Sequence, residues 1–336
     1  MTENFTKDRK FHLHIDNDRS LGEVFEVTPE RLKAAMERFP DVADRLHVTV
    51  DYDSEKFDSH IATADALLVW KFDVKDIAKR APNLRWIHAT GAGIEFFAPL
   101  KKWLPDGVTF INNRGVHGDR AAEYCFMAVL MLNNRLPEMM TNQRAAVWQQ
   151  LYNTSIMGKT LLVVGVGSVG GGAARWARKY GMRVIGVRRS GASHDGVDEM
   201  YTPDDLPKLV PEADYILVTA PATQATRHLM GKAEINAMKK GAGLVNYSRS
   251  KLVDYAALVT RLEKRELSAV LDVFDQEPLP SDSPLWNTPN LIITPHCSSD
   301  DPESYMPDTL DLMFSNIRRI FAGEPVVNKV EADLDY

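Results

Sequence analysis

Three polar residues in the second half of the sequence have the side chains that reduction of a 2-keto acid requires. They are Arg249, Glu277 and His296, and each follows a short apolar run. The planar guanidinium of an arginine can bind a carboxylate and polarise a carbonyl. A histidine can donate a proton near neutral pH, and a carboxylate beside it favours its charged form and fixes its orientation. We therefore predict that Arg249 binds the substrate and that His296, paired with Glu277, supplies the proton.

Each of the three residues also has a purely structural interpretation. Arg249 can form an ion pair that only supports the fold, Glu277 can be a carboxylate on a surface turn, and His296 can be a hydrogen-bonded loop histidine. The sequence leaves these alternatives open.

A glycine-rich motif precedes these residues in the chain. Gly165-Val166-Gly167-Ser168-Val169-Gly170 leaves an apolar strand and enters a predicted helix. In a dinucleotide fingerprint of this form, one glycine allows the tight turn, one lets the pyrophosphate approach, and one lets the helix pack closely on the strand. The helix N-terminus offers N–H groups and a positive dipole end to the phosphates. We predict cofactor contacts from Gly165, Gly167, Ser168, Val169 and Gly170, with a simple turn as the alternative.

The end of the next predicted strand bears on the choice between NAD and NADP. An NAD-binding domain usually carries an Asp or Glu there, about 20 residues beyond the fingerprint, to hold the adenosine ribose hydroxyls. Here the strand ends in Arg188, Arg189 and Ser190, without an acid. Because an arginine fork matches phosphate oxygens, these residues favour the 2′-phosphate of NADP. The alternative is a solvated basic tip in a protein that binds NAD.

The elements that position these motifs alternate between short β-rich runs and helical patterns, as is typical of βαβ units and parallel sheets. The first part has predicted strands at Phe11–Ile15, Val48–Tyr52, Ala66–Trp70, Arg85–Ala89 and Thr109–Asn112, and helices at Pro29–Phe39, Arg120–Asn133 and Pro137–Gln149. The second part has predicted strands at Leu161–Val164, Arg183–Val187, Tyr215–Thr219, Gly243–Tyr247, Ala269–Phe274 and Leu291–Thr294. Its helices are predicted at Val169–Tyr180, Pro203–Val210, Ala233–Lys240, Asp254–Leu267 and Tyr305–Phe321, the last closed by Gly323.

This pattern predicts an α/β protein with two Rossmann-like or flavodoxin-like domains, doubly wound parallel sheets and a cleft between the domains. The length of 336 residues also favours two domains. We assign residues 1–116, completed by 298–336, to a substrate-binding catalytic domain, and residues 117–297 to a dinucleotide-binding Rossmann domain. Ligands of such sheets bind at the carboxyl ends of the strands. We therefore add to the predicted cofactor contacts Ala220, Pro221, Thr226, Tyr247 and Ser248.

With these motifs in this order, the sequence resembles the D-isomer-specific 2-hydroxyacid dehydrogenase family. The likeness extends from about Ala66 to Val327 and includes the segments from Asn246 to Leu258 and from Leu285 to His296. It implies that Arg249 is the substrate-binding arginine, that Glu277 is the carboxylate before proline, and that His296 is the acid/base histidine. It also implies a contact between Asp272 and the nicotinamide carboxamide. In Gly91-Ala92-Gly93-Ile94 it implies a loop that binds the substrate carboxylate through the N–H groups of Ala92 and Gly93.

The chain departs from the family pattern at two places. Ser250 follows Arg249 where glycine is usual, and Cys297-Ser298-Ser299 follows His296 where small apolar residues are commoner. The departures concern substrate identity and loop shape more than the type of reaction.

Other residues have weaker claims to a role in the site. Trp70 and Lys71 end a predicted strand of the first domain and are candidate substrate contacts, with packing and solvation as the alternative. Cys297 is interpreted as an incidental thiol, since hydride transfer needs no nucleophile. His117 and Arg120 flank the connection between the domains. The remaining histidines show no ligand spacing, and we predict no catalytic metal.

The composition excludes several classes of protein. With 40 Lys and Arg against 46 Asp and Glu, the chain lacks the basic field that nucleic-acid or membrane-surface partners require. No signal-peptide core is present in residues 1–10, and two cysteines are too few for a disulfide framework, so we expect a cytoplasmic protein. The apolar run Tyr124–Leu132 is too short to span a membrane and is predicted to be a buried helix. We expect a homodimer, with this helix as a candidate interface.

These observations predict an enzyme that transfers a hydride between NAD(P)H, preferably NADP, and a small 2-keto or D-2-hydroxy acid. The first expectation is reduction of glyoxylate or hydroxypyruvate, by analogy with NADP users of the family. Two alternatives stay open. One is a dinucleotide-sensing, corepressor-like binding protein of the same fold, and the other is a phosphite or formate dehydrogenase.

Overall fold

Parallel strands alternate with helices along almost the whole chain. The computed structural model describes residues 9–332. Its strands are β1 (Phe11–Asn17), β2 (Leu46–Tyr52), β3 (Ala66–Val69), β4 (Trp86–Ala89), β5 (Thr109–Ile111), β6 (Thr160–Val164), β7 (Arg183–Val187), β8 (Glu199–Tyr201), β9 (Tyr215–Val218), β10 (Gly243–Asn246), β11 (Ser268–Leu271) and β12 (Leu291–Ile293). Its helices are α1 (Pro29–Arg38), α2 (Pro40–Ala43), α3 (Phe57–Ile61), α4 (Ile77–Arg80), α5 (Gly118–Asn133), α6 (Leu136–Arg144), α7 (Ser168–Lys179), α8 (Leu206–Leu209), α9 (Lys232–Ala237), α10 (Tyr255–Glu263) and α11 (Tyr305–Ala322).

The chain divides into two compact units. The first unit contains the described residues up to His117 and those from Asp300 onwards, and the second is Gly118–Ser299. None of the helices in the described part of the chain combines the length and the apolar character needed to cross a bilayer.

The first unit is built on a five-stranded parallel sheet in the order β2-β1-β3-β4-β5. One face packs on α1 and α11 through side chains such as Leu13, Met313 and Phe314, and the other face packs on a separate core that includes Ile61 and Ile87. Helix α1 begins as the sequence predicts, because the hydroxyl of Thr28 accepts a hydrogen bond from the N–H of Arg31. Helix α11 ends as predicted at Gly323, whose φ of 71° is left-handed.

The second unit is a seven-stranded sheet in the order β12-β11-β10-β9-β6-β7-β8 with every neighbouring pair parallel. The chain starts in the middle at β6, runs outwards to β8, and then returns to the other side at β9. This doubly wound order places its ligand crevice at the carboxyl ends of the strands, beside β6. The predicted fold class, α/β with two doubly wound parallel sheets, is confirmed.

The apolar run Tyr124–Leu132 lies in α5, where most of its side chains are buried in the core of the second unit. The prediction of a buried helix is therefore confirmed. Met127 is the large apolar side chain of the run that is exposed, at 40%.

Some predicted boundaries are wrong. The helix predicted to reach Gln149 ends at Arg144, and the one predicted to reach Leu267 ends at Glu263. In both cases a residue just beyond the end, Ala146 or Arg265, has a left-handed φ that stops the helix. The helix predicted at Pro203–Val210 is a 3₁₀ turn followed by the short α8, and that predicted at Ala233–Lys240 is Lys232–Ala237.

Strand β8 was not predicted, because it has three residues at the sheet edge and all three are only half-buried. The strand predicted at Ala269–Phe274 ends at Leu271, so Asp272 and the residues after it form a loop.

Candidate active site

The three residues singled out by their chemistry follow three adjacent parallel strands. Arg249 comes three residues after β10, Glu277 six residues after β11, and His296 three residues after β12. Strands β10, β11 and β12 are neighbours in the sheet of the second unit. All three residues therefore lie in loops at the same, carboxyl edge of that sheet, where doubly wound folds bind their ligands.

His296 and Glu277 form a direct pair. The Nδ1 atom of His296 lies 2.7 Å from Oε2 of Glu277, and the two side chains are 40% and 35% exposed. With Nδ1–H donating to the carboxylate, Nε2 is the ring nitrogen left to face a ligand. The hydrogen bond to the carboxylate fixes the plane of the ring. Glu277 is an exposed loop residue, and its carboxylate has His296 as a partner.

The backbone around this pair is also specialised. His296 has a φ of 48°, a left-handed conformation that costs energy for a residue with a Cβ. Glu277 is held at its second oxygen, because the N–H of Phe274 donates to Oε1 at 2.8 Å. Both oxygens of the carboxylate therefore have defined partners, and its orientation toward His296 is fixed.

The turn that carries Arg249 is held by several hydrogen bonds. The Nη1 group of Arg249 donates to the carbonyl of Ser248 at 2.8 Å, and the amide of Asn246 donates to the carbonyl of Arg249 at 3.0 Å. Ser250, which stands where the family usually has glycine, is buried and donates from Oγ to Oδ1 of Asp275 at 2.7 Å. Because Asp275 lies in the loop of Glu277, this hydrogen bond ties the Arg249 turn to the Glu277 loop.

Asp272, the first residue after β11, is only 2% exposed. Its Oδ1 accepts hydrogen bonds from the hydroxyl groups of Thr294 and Ser298. Burial raises the pKa of the Asp272 carboxyl above its usual value, although these hydrogen bonds oppose the shift. Sequence reasoning missed Thr294 and Ser298, although both lie two residues from His296 and carry hydroxyl groups.

The glycine-rich turn has the geometry of a phosphate cradle. Strand β6 ends at Val164, Gly167 caps α7, and α7 begins at Ser168. Gly165 has a φ of 108°, and a Cβ there would overlap the backbone of Ala220. A Cβ at Gly170 would overlap the carbonyl of Gly165, whereas a Cβ at Gly167 would meet open space. Gly165 and Gly170 therefore have to be glycine for packing. The open space beside Gly167 and the N-terminus of α7 fits a pyrophosphate.

The loop after β7 holds the basic residues in different ways. The guanidinium of Arg188 donates from Nε to the carbonyl of Ala192 at 2.6 Å and from Nη2 to that of Ser193 at 2.7 Å. Arg188 thus shapes the loop, whereas Arg189 and Ser190 are exposed on it. The ring of His194 fills the space beside Gly171 on α7, so the loop folds back onto the helix of the fingerprint.

The other predicted cofactor contacts lie after β9 and β10. Ala220 is buried, and its carbonyl accepts a hydrogen bond from the hydroxyl of Ser248. Thr226 donates to the carbonyl of Pro221 at 2.7 Å, and Tyr247 is half-buried against Tyr124 with ring centroids 5.8 Å apart. These residues border the same carboxyl edge as the glycine turn.

The candidate substrate residues of the first unit lie at the carboxyl ends of β3 and β4. The indole of Trp70 lies against Gly91, where a Cβ would come within 3.3 Å of the ring. Gly91 is followed by exposed Ala92 and half-buried Gly93. Lys71 forms an ion pair with Asp18 at 3.1 Å. Trp70 therefore supports the glycine-containing loop, and the polar end of Lys71 is held by a partner in its own unit.

The two cysteines differ in environment. Cys125 is buried in α5, where burial raises the pKa of its thiol, and Cys297 beside His296 is exposed. The hydrogen bond between His296 and Glu277 involves neither thiol.

The chain is similar to known dehydrogenases and reductases. The family model described as "D-isomer specific 2-hydroxyacid dehydrogenase, NAD binding domain" matches residues 126–298. A glyoxylate reductase of Korarchaeum cryptofilum (strain OPF8) is 32% identical over 257 residues, which cover 73% of this chain and 76% of that protein.

Solved structures resemble the whole described chain. A D-isomer specific 2-hydroxyacid dehydrogenase from Xanthobacter autotrophicus Py2, in complex with NADPH and MES, matches with a TM-score of 0.81 and 27% identity, covering 96% of this chain and 99% of that one. An NADPH-dependent glyoxylate/hydroxypyruvate reductase from Sinorhizobium meliloti, in complex with NADP and sulfate, matches with a TM-score of 0.78 and 25% identity, covering 97% and 100%.

Proposed function

Because this chain belongs to the D-isomer-specific 2-hydroxyacid dehydrogenase family, we propose that it reduces glyoxylate or hydroxypyruvate with NADPH. The dehydrogenase activity follows from the family, and the choice of acid and of NADP over NAD is the proposal. The observation that supports keto-acid reduction is the pairing of His296 Nδ1 with Glu277 Oε2 at 2.7 Å, at the edge of the sheet that also bears Arg249. The choice of acid and of NADP is supported by the relatives named above.

The residues of the site divide the chemistry between them. The guanidinium of Arg249 would bind the carboxylate of a keto acid and polarise the neighbouring carbonyl. Nε2 of His296 would give its proton to the carbonyl oxygen, while Nδ1–H stays with Glu277. The carboxylate of Glu277 would hold the imidazole in the orientation that this transfer requires. The N–H groups of Ala92 and Gly93 are proposed as further donors to the substrate carboxylate, and Trp70 and Lys71 as residues that limit its side chain.

The glycine turn fits a dinucleotide, which when bound supplies the hydride. Gly167 and the N-terminus of α7 would hold its pyrophosphate, and Arg189 and Ser190, on the loop shaped by Arg188, would hold a 2′-phosphate. Asp272 would lie near the nicotinamide, as the family resemblance implies. Two relatives support NADP, since their structures are complexes with NADPH or NADP.

We propose a homodimer and a cytoplasmic location, as the sequence predicts. The corepressor-like and the phosphite or formate dehydrogenase alternatives are not favoured, because the relatives described above include a glyoxylate reductase and a glyoxylate/hydroxypyruvate reductase.

The substrate proposal is tested by initial rates with a panel of acids. We expect turnover of glyoxylate or hydroxypyruvate with NADPH, at rates above those with pyruvate or 2-oxobutyrate. The last two acids carry a methyl or ethyl group on the keto carbon, where glyoxylate has a hydrogen and hydroxypyruvate a hydroxymethyl group. Phosphite and formate, assayed with the oxidised dinucleotides, should give no turnover. Oxidation of phosphite, or absence of turnover with every keto acid, would contradict the proposal.

The cofactor proposal is tested with Arg188→Ala and Arg189→Ala. In Arg189→Ala, loss of charged hydrogen bonds to a 2′-phosphate should weaken NADPH binding about ten- to hundredfold, whereas NADH binding should change little. Arg188→Ala loses the hydrogen bonds to the carbonyls of Ala192 and Ser193 that shape the loop, so its loss with NADPH should be smaller. Titration of dinucleotide fluorescence measures both. Arg183→Ala is the matched control, because Arg183 lies at the opposite end of β7 and pairs there with Glu199 and Glu212. A wild type that prefers NADH, or equal losses with both dinucleotides, would contradict the assignment.

A further inference from the structure

The loop that carries His296 is attached to one buried oxygen at two points. Thr294, two residues before the histidine, donates from Oγ1 to Oδ1 of Asp272 at 2.6 Å, and Ser298, two residues after it, donates to the same oxygen at 2.5 Å. Asp272 and Ser298 are 2% and 6% exposed, whereas the side chain of His296 between them is 40% exposed. The exposed histidine is therefore at the apex of a loop whose two ends converge on a buried carboxylate.

Helix α5 extends this network by one residue. The hydroxyl of Tyr124 lies 2.7 Å from Oγ1 of Thr294. Because Thr294 has one hydroxyl proton and gives it to Asp272, Tyr124 must be the donor in this hydrogen bond. Burial raises the pKa of Tyr124 to about 12, so its proton is retained at neutral pH. The hydrogen bonds thus form one chain, in which Tyr124 donates to Thr294 and Thr294 donates to Asp272.

We propose that Asp272, Thr294 and Ser298 form a clasp that positions His296 for proton transfer to the substrate, with Tyr124 supporting it. The proposal rests on the proposed function, in which His296 is the proton donor. A φ of 48° at His296 has to be maintained by its surroundings, and the clasp closes the loop in that conformation. In the family, small apolar residues are commoner at the position of Ser298. The hydrogen bond from Ser298 to Asp272 is therefore specific to chains that carry a serine there.

The clasp is tested with variants that remove one hydroxyl each. Ser298→Ala and Thr294→Val should each lower kcat about tenfold, because a histidine that leaves its position for part of the time transfers protons less often. The KM of the keto acid and the Kd of the dinucleotide should change little. Thr294→Ser retains the hydroxyl and should restore most of the rate. Ser268→Ala is the matched control, since Ser268 is a buried serine at the opposite end of β11.

Two readouts separate positioning from a general structural role. A looser loop weakens the contact with Glu277, so the pH at which reduction is lost should fall in Ser298→Ala and not in Ser268→Ala. NMR titration of the His296 ring in the cofactor-free protein should show the same shift without any turnover. In a His296→Gln background, Ser298→Ala should cause no further loss of rate.

The proposal is overturned if the His296 titration is the same in wild type, Ser298→Ala and Thr294→Val, or if Ser298→Ala costs the same factor with and without His296. A wild type that reduces no keto acid would instead contradict the proposed function, while the NMR comparison would still decide whether the clasp holds His296. Thermal unfolding of each variant shows whether the fold is retained, and Ser298→Ala decides the matter if Thr294→Val does not fold.

Discussion

Replacement of Arg249 by lysine is expected to reduce kcat/KM for a keto acid by about a hundredfold or more. Lysine keeps the positive charge but loses the planar fork that can contact a carboxylate and a carbonyl together. The hydrogen bond from Nη1 to the carbonyl of Ser248, at 2.8 Å in the native turn, also depends on the guanidinium. Steady-state kinetics with a saturating dinucleotide measure the loss.

A second conservative replacement controls for the general effect of exchanging arginine for lysine. Arg265 is exposed just after α10, at the amino-terminal edge of β11, and Arg265→Lys should retain normal rates. Near-normal kcat/KM for Arg249→Lys would contradict the role of the planar guanidinium in binding the keto acid, and the structural interpretation of Arg249 would then be preferred.

Loss of the imidazole is expected to have the other large effect. His296→Gln removes the proton donor, and general acid catalysis typically contributes 10²- to 10⁴-fold, so we expect about a thousandfold loss of kcat. Dinucleotide binding should be retained, because no phosphate contact is assigned to His296. A fluorescence titration with NADPH controls for this. Retained rates would exclude His296 as the proton donor.

The sequence predicts much of the fold because its signals are local. Alternation of β-branched runs with capped helices, such as the helix that begins after Thr28, predicts all strands except β8. The edge strand β8 escaped prediction because three half-buried residues produce no periodicity. Helices α6 and α10 were predicted too long, because left-handed residues such as Ala146 and Arg265 carry no composition signal.

The site was predictable to the extent that its residues lie near strand ends. Arg249, Glu277 and His296 could be expected to share one edge, since parallel strands place their carboxyl ends together. The pairing of Glu277 with His296 was predicted from the chemistry of their side chains, whereas the atoms that meet and their distance of 2.7 Å depend on how two loops fold. The same holds for Thr294 and Ser298, whose convergence on Asp272 joins residues 22 and 26 positions apart.

Arg188 illustrates a different limit. Its type suggested a phosphate ligand, yet its guanidinium is bonded to the carbonyls of Ala192 and Ser193. Side-chain type alone does not show whether a donor serves the ligand or the loop. The two alanine variants at positions 188 and 189 therefore distinguish the residue that shapes the loop from the residue proposed to contact the cofactor.

The central claim is that the Glu277–His296 pair supplies the proton, and the pH profile of keto-acid reduction tests it most directly. Reduction requires His296 protonated, so activity is lost as the pH rises, and the Glu277 anion moves that loss to higher pH by stabilising the charged ring. In Glu277→Gln the anion is absent. We predict that Glu277→Gln loses reduction at lower pH than wild type and gains oxidation of the hydroxy acid at lower pH. In His296→Gln, the fall in reduction with rising pH should be absent. If Glu277→Gln loses reduction at the same pH as wild type or at a higher pH, Glu277 does not assist His296 in supplying the proton.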